Sequence, residues 1–343
     1  MSSKKKKTTI YDIADKLDIT ASTVSRALNG NPTISKSTKK LVRETAEKMN
    51  YQTNSIAAAL RQGKSYTVGI IIPNADRNFF ASVIRGIEDV VNKSGYNIII
   101  CQSNDSYVKE EANINTLIRA QVDGILASYA KETIEFDHYK EVLEHDIPLV
   151  FFDRTNESLN VGSVVIDDFR GAYKATTHLI EQGYKRIVHF AGPKNVSIYK
   201  ERRRGYVEAI REHGLPVDEK LIMQCGLQIE DGRKLAKKFL QSDELPDAIF
   251  SASDFSAVGA MEVFKNEDIA IPEQVAIVGF SNESFTSFVD PGLTTVDQHS
   301  IEMGNYAARQ FLDIIEGKVS ITRSTKTVLD PDLIVRGSSM RRK

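Results

Sequence analysis

Apolar positions along the chain follow two regimes that change near residue 66. Over the first sixty residues they recur at helical spacing. Ile10, Ile13, Ala14 and Leu17 follow i, i+3, i+4, i+7, the stripe of one helical face. Thr9, with Asp12 three residues on, forms a capping-box pattern ahead of them. Asp18-Ile19 breaks the pattern, and Thr20 caps a second expected helix, Ala21 to Leu28, with Val24, Ala27 and Leu28 inward. Asn29-Gly30-Asn31-Pro32 ends it with strong turn signals. Ser35 caps a third helix that runs to about Asn50 and is expected to bury Leu41, Thr45, Ala46 and Met49. Three short helices bury little surface, so this head is expected to be only marginally stable alone. Asn54 to Leu60, with Ala57 at its centre, is a fourth helical stretch of two turns. A helix that short needs a partner in water. Gln62 to Ser65 reads as linker.

From Tyr66 onward short apolar runs alternate with amphipathic helices. The runs are Val68–Ile72, Ile98–Cys101, Gly124–Ala127, Leu149–Phe152, Val164–Ile166, Ile187–Phe190, Ala248–Phe250 and Val275–Val278. Helical segments are expected near 79–94, 107–120, 169–182, 199–213, 230–241, 254–267 and 300–316. This is βαβ grammar, with parallel sheets covered on both faces. Its extent predicts two doubly wound α/β subdomains behind an all-α head, with a ligand crevice at the carboxyl ends of the strands.

Charge sharpens the division. The net charge is −1 for the 343 residues. Residues 1–64 nevertheless carry ten Lys and three Arg against three Asp and two Glu, a surplus of eight. The remainder holds 32 basic and 41 acidic residues. A compact basic head on an acidic body suggests a polyanion-binding segment, the alternative being a solvated basic tail. No run of about 18 apolar residues predicts a membrane span, and the basic start lacks the apolar stretch of a secretory signal. The cytoplasm is the expected location. Cys101 and Cys225 belong to no Cys-x-x-Cys pair, so no disulfide framework or zinc site is expected. They read as packed thiols.

Helix, tight turn, helix is the spacing of a helix-turn-helix, whose second helix enters the major groove. Here that helix is Ala21 to Leu28, with Ala21, Ser22, Ser25 and Arg26 outward. Arg26 can hold guanine with two hydrogen bonds, worth ~1–3 kcal/mol of discrimination. Ala21 offers a methyl to thymine, and Ser22 an adaptable hydroxyl. Thr23, Ser25 and the Lys4–Lys7 arm suit phosphates, which position without reading sequence. Eight residues alone do not exclude a small helical bundle with an exposed Arg.

The stretch Thr9 to Gly30 (TIYDIAD…TASTVSRALNG), then Asn50-Tyr51, then Asn54 to Leu60 (NSIAAAL), resembles the head of the lac and galactose repressor family. The resemblance implies that Tyr11, Ser22 and Arg26 touch bases in the major groove; Ala21 and Asn29 are further DNA-binding candidates. It further implies that 54–60, with Asn54, Ala57 and Leu60, is a hinge helix that folds on operator DNA. Leu60 would then wedge between base steps, where unstacking costs a few kcal/mol and yields a bent duplex with more contact. Ala21 replaces the larger side chain of other members, which leaves the operator sequence open.

The likeness continues through N78-FFASVIRGI, G124-ILAS, V150-FFDR, R202-RRG, S253-D254, I277-VGFSN and L293-TTVDQ. It implies the two-lobed fold of periplasmic sugar-binding proteins, with crossings near Asn160–Ser163, Leu293–His299 and Val319–Thr325. The expected division is 1–53 for the head and 54–65 for hinge and linker. One lobe then takes 66–160 plus 299–319, and the other 161–298 plus 320–343. Carried over by residue, Phe79 and Phe80 wall the pocket and Asp153 and Arg202 are its charged pair. Ser128, Ser253, Asp254, Ser281 and Gln298 are further polar candidates. Carboxylate plus guanidinium suits neighbouring sugar hydroxyls. Each has a plainer reading: core for the two Phe, a loop brace for Asp153, surface charge for Arg202, a helix cap for Asp254. Ser253 and Ser281 stand where sugar-binding members often have Asn and Asp. Leu227 stands where some have Trp.

The expected protein is a homodimeric, near-palindrome-reading transcriptional repressor governed by a small effector, a sugar or sugar derivative. It needs no cofactor or metal. A purine or a protein corepressor, activation rather than repression, and a solute-binding protein remain open. An enzyme finds no support: there is no P-loop after a strand, no G-x-G-x-x-G, no G-x-S-x-G, and the six His form no close pair.

Overall fold

The structure, a computed structural model, describes residues 8–51, 64–242 and 244–341. The Lys4–Lys7 arm and the hinge residues Asn54, Ala57 and Leu60 lie outside them. The chain forms two compact units, Met1–Ser65 and Tyr66–Lys343.

In the first unit α1 spans Ile10–Leu17, α2 Ala21–Leu28 and α3 Lys36–Lys48. Thr9 and Asp12 close the expected capping box on α1: Asp12 N donates to Thr9 Oγ1 at 3.3 Å and Thr9 N to Asp12 Oδ2 at 2.7 Å. Thr20 and Ser35 cap the next two helices. Asp18, left-handed at φ 51°, makes the tight turn after α1. Ile13, Ala14, Val24, Ala27, Val42 and Ala46 form the core. Leu41, expected inside, is instead exposed, and Val42 is buried in its place. The stripe that meets α1 and α2 runs through 42, 45, 46 and 49, so it differs from the sequence reading only at its first position.

The second unit begins with β1 (Thr67–Ile72), α4 (Asn78–Val91), β2 (Asn97–Gln102), α5 (Tyr107–Arg119) and β3 (Gly124–Ala127). Next come α6 (Asp137–Glu144), β4 (Leu149–Phe152), β5 (Gly162–Ile166), α7 (Asp168–Glu181), β6 (Ile187–Ala191), α8 (Ser197–Glu212) and β7 (Ile222–Gln224). The remainder is α9 (Ile229–Leu240), β8 (Ala248–Ser251), α10 (Asp254–Asn266), β9 (Ala276–Phe280), β10 (Thr294–Asp297), α11 (Ser300–Ile315), β11 (Lys326–Leu329) and β12 (Asp332–Ile334). Two six-stranded sheets result, in the orders β11-β5-β4-β3-β1-β2 and β12-β10-β9-β8-β6-β7. All pairs are parallel except β10 with β12.

Strand alternation explains why both faces need helices. Val68, Ile70 and Ile72 point to the face covered by Val83 and Ile87 of α4 and Phe311 of α11. Ile71, Ile125 and Phe151 point to the other, covered by Ile114 and Leu117 of α5 and Val142 of α6.

The chain crosses between lobes three times: at Asp167 between β5 and α7, at Gln298–His299 between β10 and α11, and at Asp330–Pro331 between β11 and β12. The expected crossings at 160–163 and 319–325 therefore come too early. Gly162–Ile166 and Lys326–Leu329 pair with each other in the first sheet, from Ser163 with Lys326 to Ile166 with Leu329. Both segments were assigned to the second lobe from sequence. Asp330-Pro331 marks the end of the second segment as a turn, but only the pairing shows which sheet each segment joins.

Helices α4 and α11 approach closely because each carries a glycine at the contact. A Cβ on Gly86 would stand 2.1 Å from Ile301 O, and one on Gly304 would stand 2.1 Å from Val83 O. Gly304→Val is expected to destabilise the protein by about 1–3 kcal/mol through overpacking. Urea unfolding measures this, and an unchanged midpoint would refute the close approach.

Candidate functional site

In the head, Ser22, Arg26 and Asn29 are exposed along one stripe of α2 and its C-terminus, spaced i, i+4, i+7. Tyr11 is 72 % exposed on α1. Val24 and Ala27 anchor the opposite face of α2 in the core. Ala21 and Ser25 are half-buried. Thr23 is also half-buried, and its hydroxyl pairs with Thr20 Oγ1 at 2.9 Å. The structure thus brings Ser22, Arg26 and Asn29 onto one stripe, and leaves Tyr11 exposed on α1. It leaves Ala21, Thr23 and Ser25 at the margin of that stripe.

In the body a cavity of about 70 Å³ lies between the lobes at the carboxyl ends of the strands. Phe79, Phe80, Asp153, Arg202, Ser253, Ser281 and Gln298 line it, all expected from the sequence. Phe79 and Phe80 fulfil both readings: their rings meet edge to face at 5.0 Å, line the cavity and join the core. Ser128 stands behind the wall and donates to Asp153 Oδ2 at 3.1 Å. Asp254 does not face the cavity. Its carboxylate accepts Glu283 N at 2.8 Å and Thr295 Oγ1 at 2.6 Å, so it braces the turn after β9, and the capping of α10 falls to Ser253.

Arg202 is buried rather than a surface charge. Nε donates to Asp168 Oδ1 at 2.8 Å, Nη1 to Ala252 O at 2.8 Å and Nη2 to Gln298 Oε1 at 3.3 Å. Its guanidinium lies 3.7 Å from the Phe280 ring centroid. Asp153 therefore does not pair directly with Arg202. Burial pushes the Asp153 carboxyl up, against the opposing pull of Arg154 and Arg202. Arg154 itself spans Asp105 Oδ1 at 2.5 Å and Tyr129 O at 2.8 Å. Burial would also raise Asp105, but Arg154 and Lys131 prevail and hold it below the usual carboxylate value.

Sequence reasoning missed Asp105, Lys131, Arg154, Tyr199 and Glu283, all on the cavity wall. A usable signal existed for two. Asp105 closely follows β2, and Arg154 follows β4, at the carboxyl ends where such folds bind ligands. Asp153, Leu227 and Ser281 have φ of 61°, 62° and 122°. Non-glycine residues in such conformations cluster at functional sites.

Polar contacts join the lobes across the cleft. Arg77 Nη2 donates to Gln228 Oε1 at 2.5 Å and Asn195 Nδ2 to Lys131 O at 2.8 Å. Asn78 N donates to Glu283 Oε2 at 3.0 Å, so Glu283 caps α4, which lacks a side-chain cap of its own, from the opposite lobe. Burial pushes Glu283 up, partly offset by the N–H groups of Phe79 and Asn78.

A helix-turn-helix and a two-lobed ligand cleft on one chain define the class: a DNA-binding regulator with a sensor body. Residues 9–54 match the family model of bacterial regulatory proteins, lacI family. Residues 65–330 match that of periplasmic binding proteins and sugar binding domain of LacI family. The chain is 34 % identical over 302 residues to catabolite control protein A of Priestia megaterium, covering 88 % of this chain and 90 % of that one. It is 33 % identical over 341 residues to the HTH-type transcriptional repressor CytR of Escherichia coli K12, covering 99 % of each. The lac repressor dimer bound to operator and an anti-inducer shares the fold, with TM-score 0.86 at 19 % identity over 98 % of this chain and all of that one. The protein belongs to the lacI family of bacterial transcription regulators.

Burial pushes Asp168 and Asp254 up to about 7. Unfolded carboxylates titrate near about 4, so between about pH 4 and 7 the folded chain holds more protons. The stability these groups contribute is complete below about pH 4 and is lost as pH rises through 7. Asp254→Asn is expected to flatten the fall in unfolding free energy over that window. Urea titrations across the window that gave parallel curves for both proteins would contradict it.

Proposed function

We propose that this regulator is a repressor that binds a near-palindromic operator as a homodimer and releases or retains it according to a small, hydroxyl-rich effector, a sugar or sugar derivative. The observation that carries the effector reading is the inner cavity, which buried carboxylates and guanidinia line together with Phe79 and Phe80. Such a mixture of apolar wall and convergent polar groups suits a polyol. Phe79, Phe80, Asp153, Arg202, Ser253, Ser281 and Gln298 would touch the effector, with Ser128 and Asp254 behind them. Tyr11, Ser22, Arg26 and Asn29 would read bases, with Ala21, Thr23 and Ser25 at the edge. Asn54, Ala57 and Leu60 would form the hinge.

The ligand acts through its different affinity for the two lobe arrangements. Dimerisation follows from the need to read two half-sites. The exposed Ile99 and Ile100 on edge strand β2 support a self-association face. The relatives are transcription regulators, which supports a sensor that does not transform its ligand. Work on DNA supports a cytoplasmic setting. Among the described residues no helix is long and apolar enough to cross a membrane.

Selection from random duplex DNA at near-physiological salt is expected to return a palindromic motif. Arg26→Ala should cut discrimination between that motif and random DNA by roughly ten- to a hundredfold, the loss of one two-bonded base contact. Unchanged discrimination would remove Arg26 from the reading surface. Asp153→Asn, which keeps the side-chain volume and breaks no buried two-bonded ion pair, should abolish the effector response while leaving operator binding intact. A thermal-shift screen of sugars and nucleobases finds the effector, and calorimetry showing equal affinity in the variant would refute the pocket. A nucleobase hit without a sugar hit would replace the sugar reading.

A further inference from the structure

Two cavities meet at Asp153 and Ile198, which line both. The inner one is the small cavity already described. The outer one, about 380 Å³, is lined by the loop after β4 and the first turns of α7 and α8. At about 70 Å³ the inner cavity falls far below the roughly 300–1,000 Å³ of most small-molecule sites, whereas the outer one, with Asp153 and Ile198 as shared walls, lies within that range.

The outer wall carries two buried acceptors with spare capacity. The side chain of Asp168 is 7 % exposed, and its Oδ1 accepts Arg202 Nε. Its other oxygen takes no donor from any described residue. The Asp153 side chain is likewise 7 % exposed, with Oδ2 facing Ser128 Oγ at 3.1 Å and Arg154 Nε at 3.8 Å. Its Oδ1 is without a donor among the described residues. Buried acceptors of this kind call for hydrogen-bond donors. Beside them Phe169 is partly exposed; the Arg204 guanidinium lies 4.3 Å from its ring centroid and Tyr173 stacks near it, so what the ring offers the cavity is its remaining edge and face. The lining also decides against anions. Five acidic residues (Asp153, Glu157, Asp167, Asp168 and Glu201) line it against two lysines, Lys200 and Lys326; Lys326 is already paired with Glu157 at 2.7 Å, and the Arg202 and Arg154 charges beside Asp168 and Asp153 are turned to those carboxylates.

We propose that the outer cavity is a second effector subsite, and that the effector is an uncharged oligosaccharide of at least two units, placed on either side of Asp153. One unit lies against Phe79 and Phe80. The next donates its hydroxyls to Asp153 and Asp168 and packs on Phe169. This rests on the reading of the inner cavity as a sugar site.

The test is calorimetry on the full-length protein with glucose, galactose, mannose, xylose and arabinose, each beside the neutral di- and trisaccharides built from it. At about pH 8, above the value of about 7 to which burial raises Asp168, at least one oligosaccharide should bind roughly ten- to a hundredfold more tightly than its monosaccharide, the gain expected of hydrogen bonds to charged acceptors. Phe169→Ala should remove about tenfold of that preference and leave monosaccharide affinity within about twofold, which also shows that the variant is folded. Phe169→Tyr should restore the preference. A monosaccharide that binds as tightly as every oligomer containing it would overturn the second subsite while keeping the sugar reading. So would an oligosaccharide preference indifferent to Phe169→Ala. No binding by any sugar, with binding by a purine, would overturn the sugar reading and the subsite together.

Discussion

The Arg202 guanidinium ties together the parts on which the cleft depends. It reaches Asp168 at the start of α7, the Ala252 carbonyl after β8 and Gln298 at the second crossing, and it lies on the Phe280 ring at the end of β9. Each of these is a place where the chain leaves a strand of the second sheet or passes between lobes. Such a group is buried at a heavy desolvation cost, which only a full set of acceptors offsets. Truncating it would leave Asp168 buried without its cation, an arrangement that costs about 3–5 kcal/mol in comparable pairs. The same residue therefore holds the cleft wall in shape and lines the cavity.

The first lobe solves the same problem with a different pair. Arg154 and Asp105 follow the carboxyl ends of β4 and β2, with β3 and β1 between those strands, and neutralise one another across the end of the sheet, with Lys131 alongside at 3.6 Å from Asp105. Between these two charged clusters stands Asp153, less well satisfied than either. Parallel sheets make this layout natural. Their strand ends gather loops from several βα units, while apolar alternation above and below the sheet supplies rigidity. Contacts from Arg77, Asn78 and Asn195 to the opposite lobe close the cleft. An effector can tip that closure only by binding the open and closed forms unequally.

The head obeys a simpler constraint. Its core is a handful of side chains around Ile13, Val24 and Val42. Its helices draw on caps at Thr9, Thr20 and Ser35 for about 1 kcal/mol each. Anchoring Val24 and Ala27 inward turns Ser22 and Arg26 outward, so the reading stripe is a by-product of packing.

Much of this was legible in the chain because it is local. Helical spacing, caps and apolar runs placed α1 and α2 and most of the strands, since each depends on neighbours a few residues away. The family motifs pointed to Phe79, Phe80, Asp153, Arg202, Ser253, Ser281 and Gln298, whose positions follow strand ends and helix starts. What tertiary structure alone decided is non-local. Asp168 meets Arg202 across 34 residues and Asp105 meets Arg154 across 49, pairings that no periodicity encodes. β5 joins the first sheet by pairing with β4, and β11 joins it only by pairing with β5. Asp254 became a brace because the fold turned its carboxylate to the Glu283 amide and the Thr295 hydroxyl. Local sequence sets which elements form and which faces they bury. The closing of distant strands into one sheet sets which buried charges find partners and which are left with an open valence for a ligand.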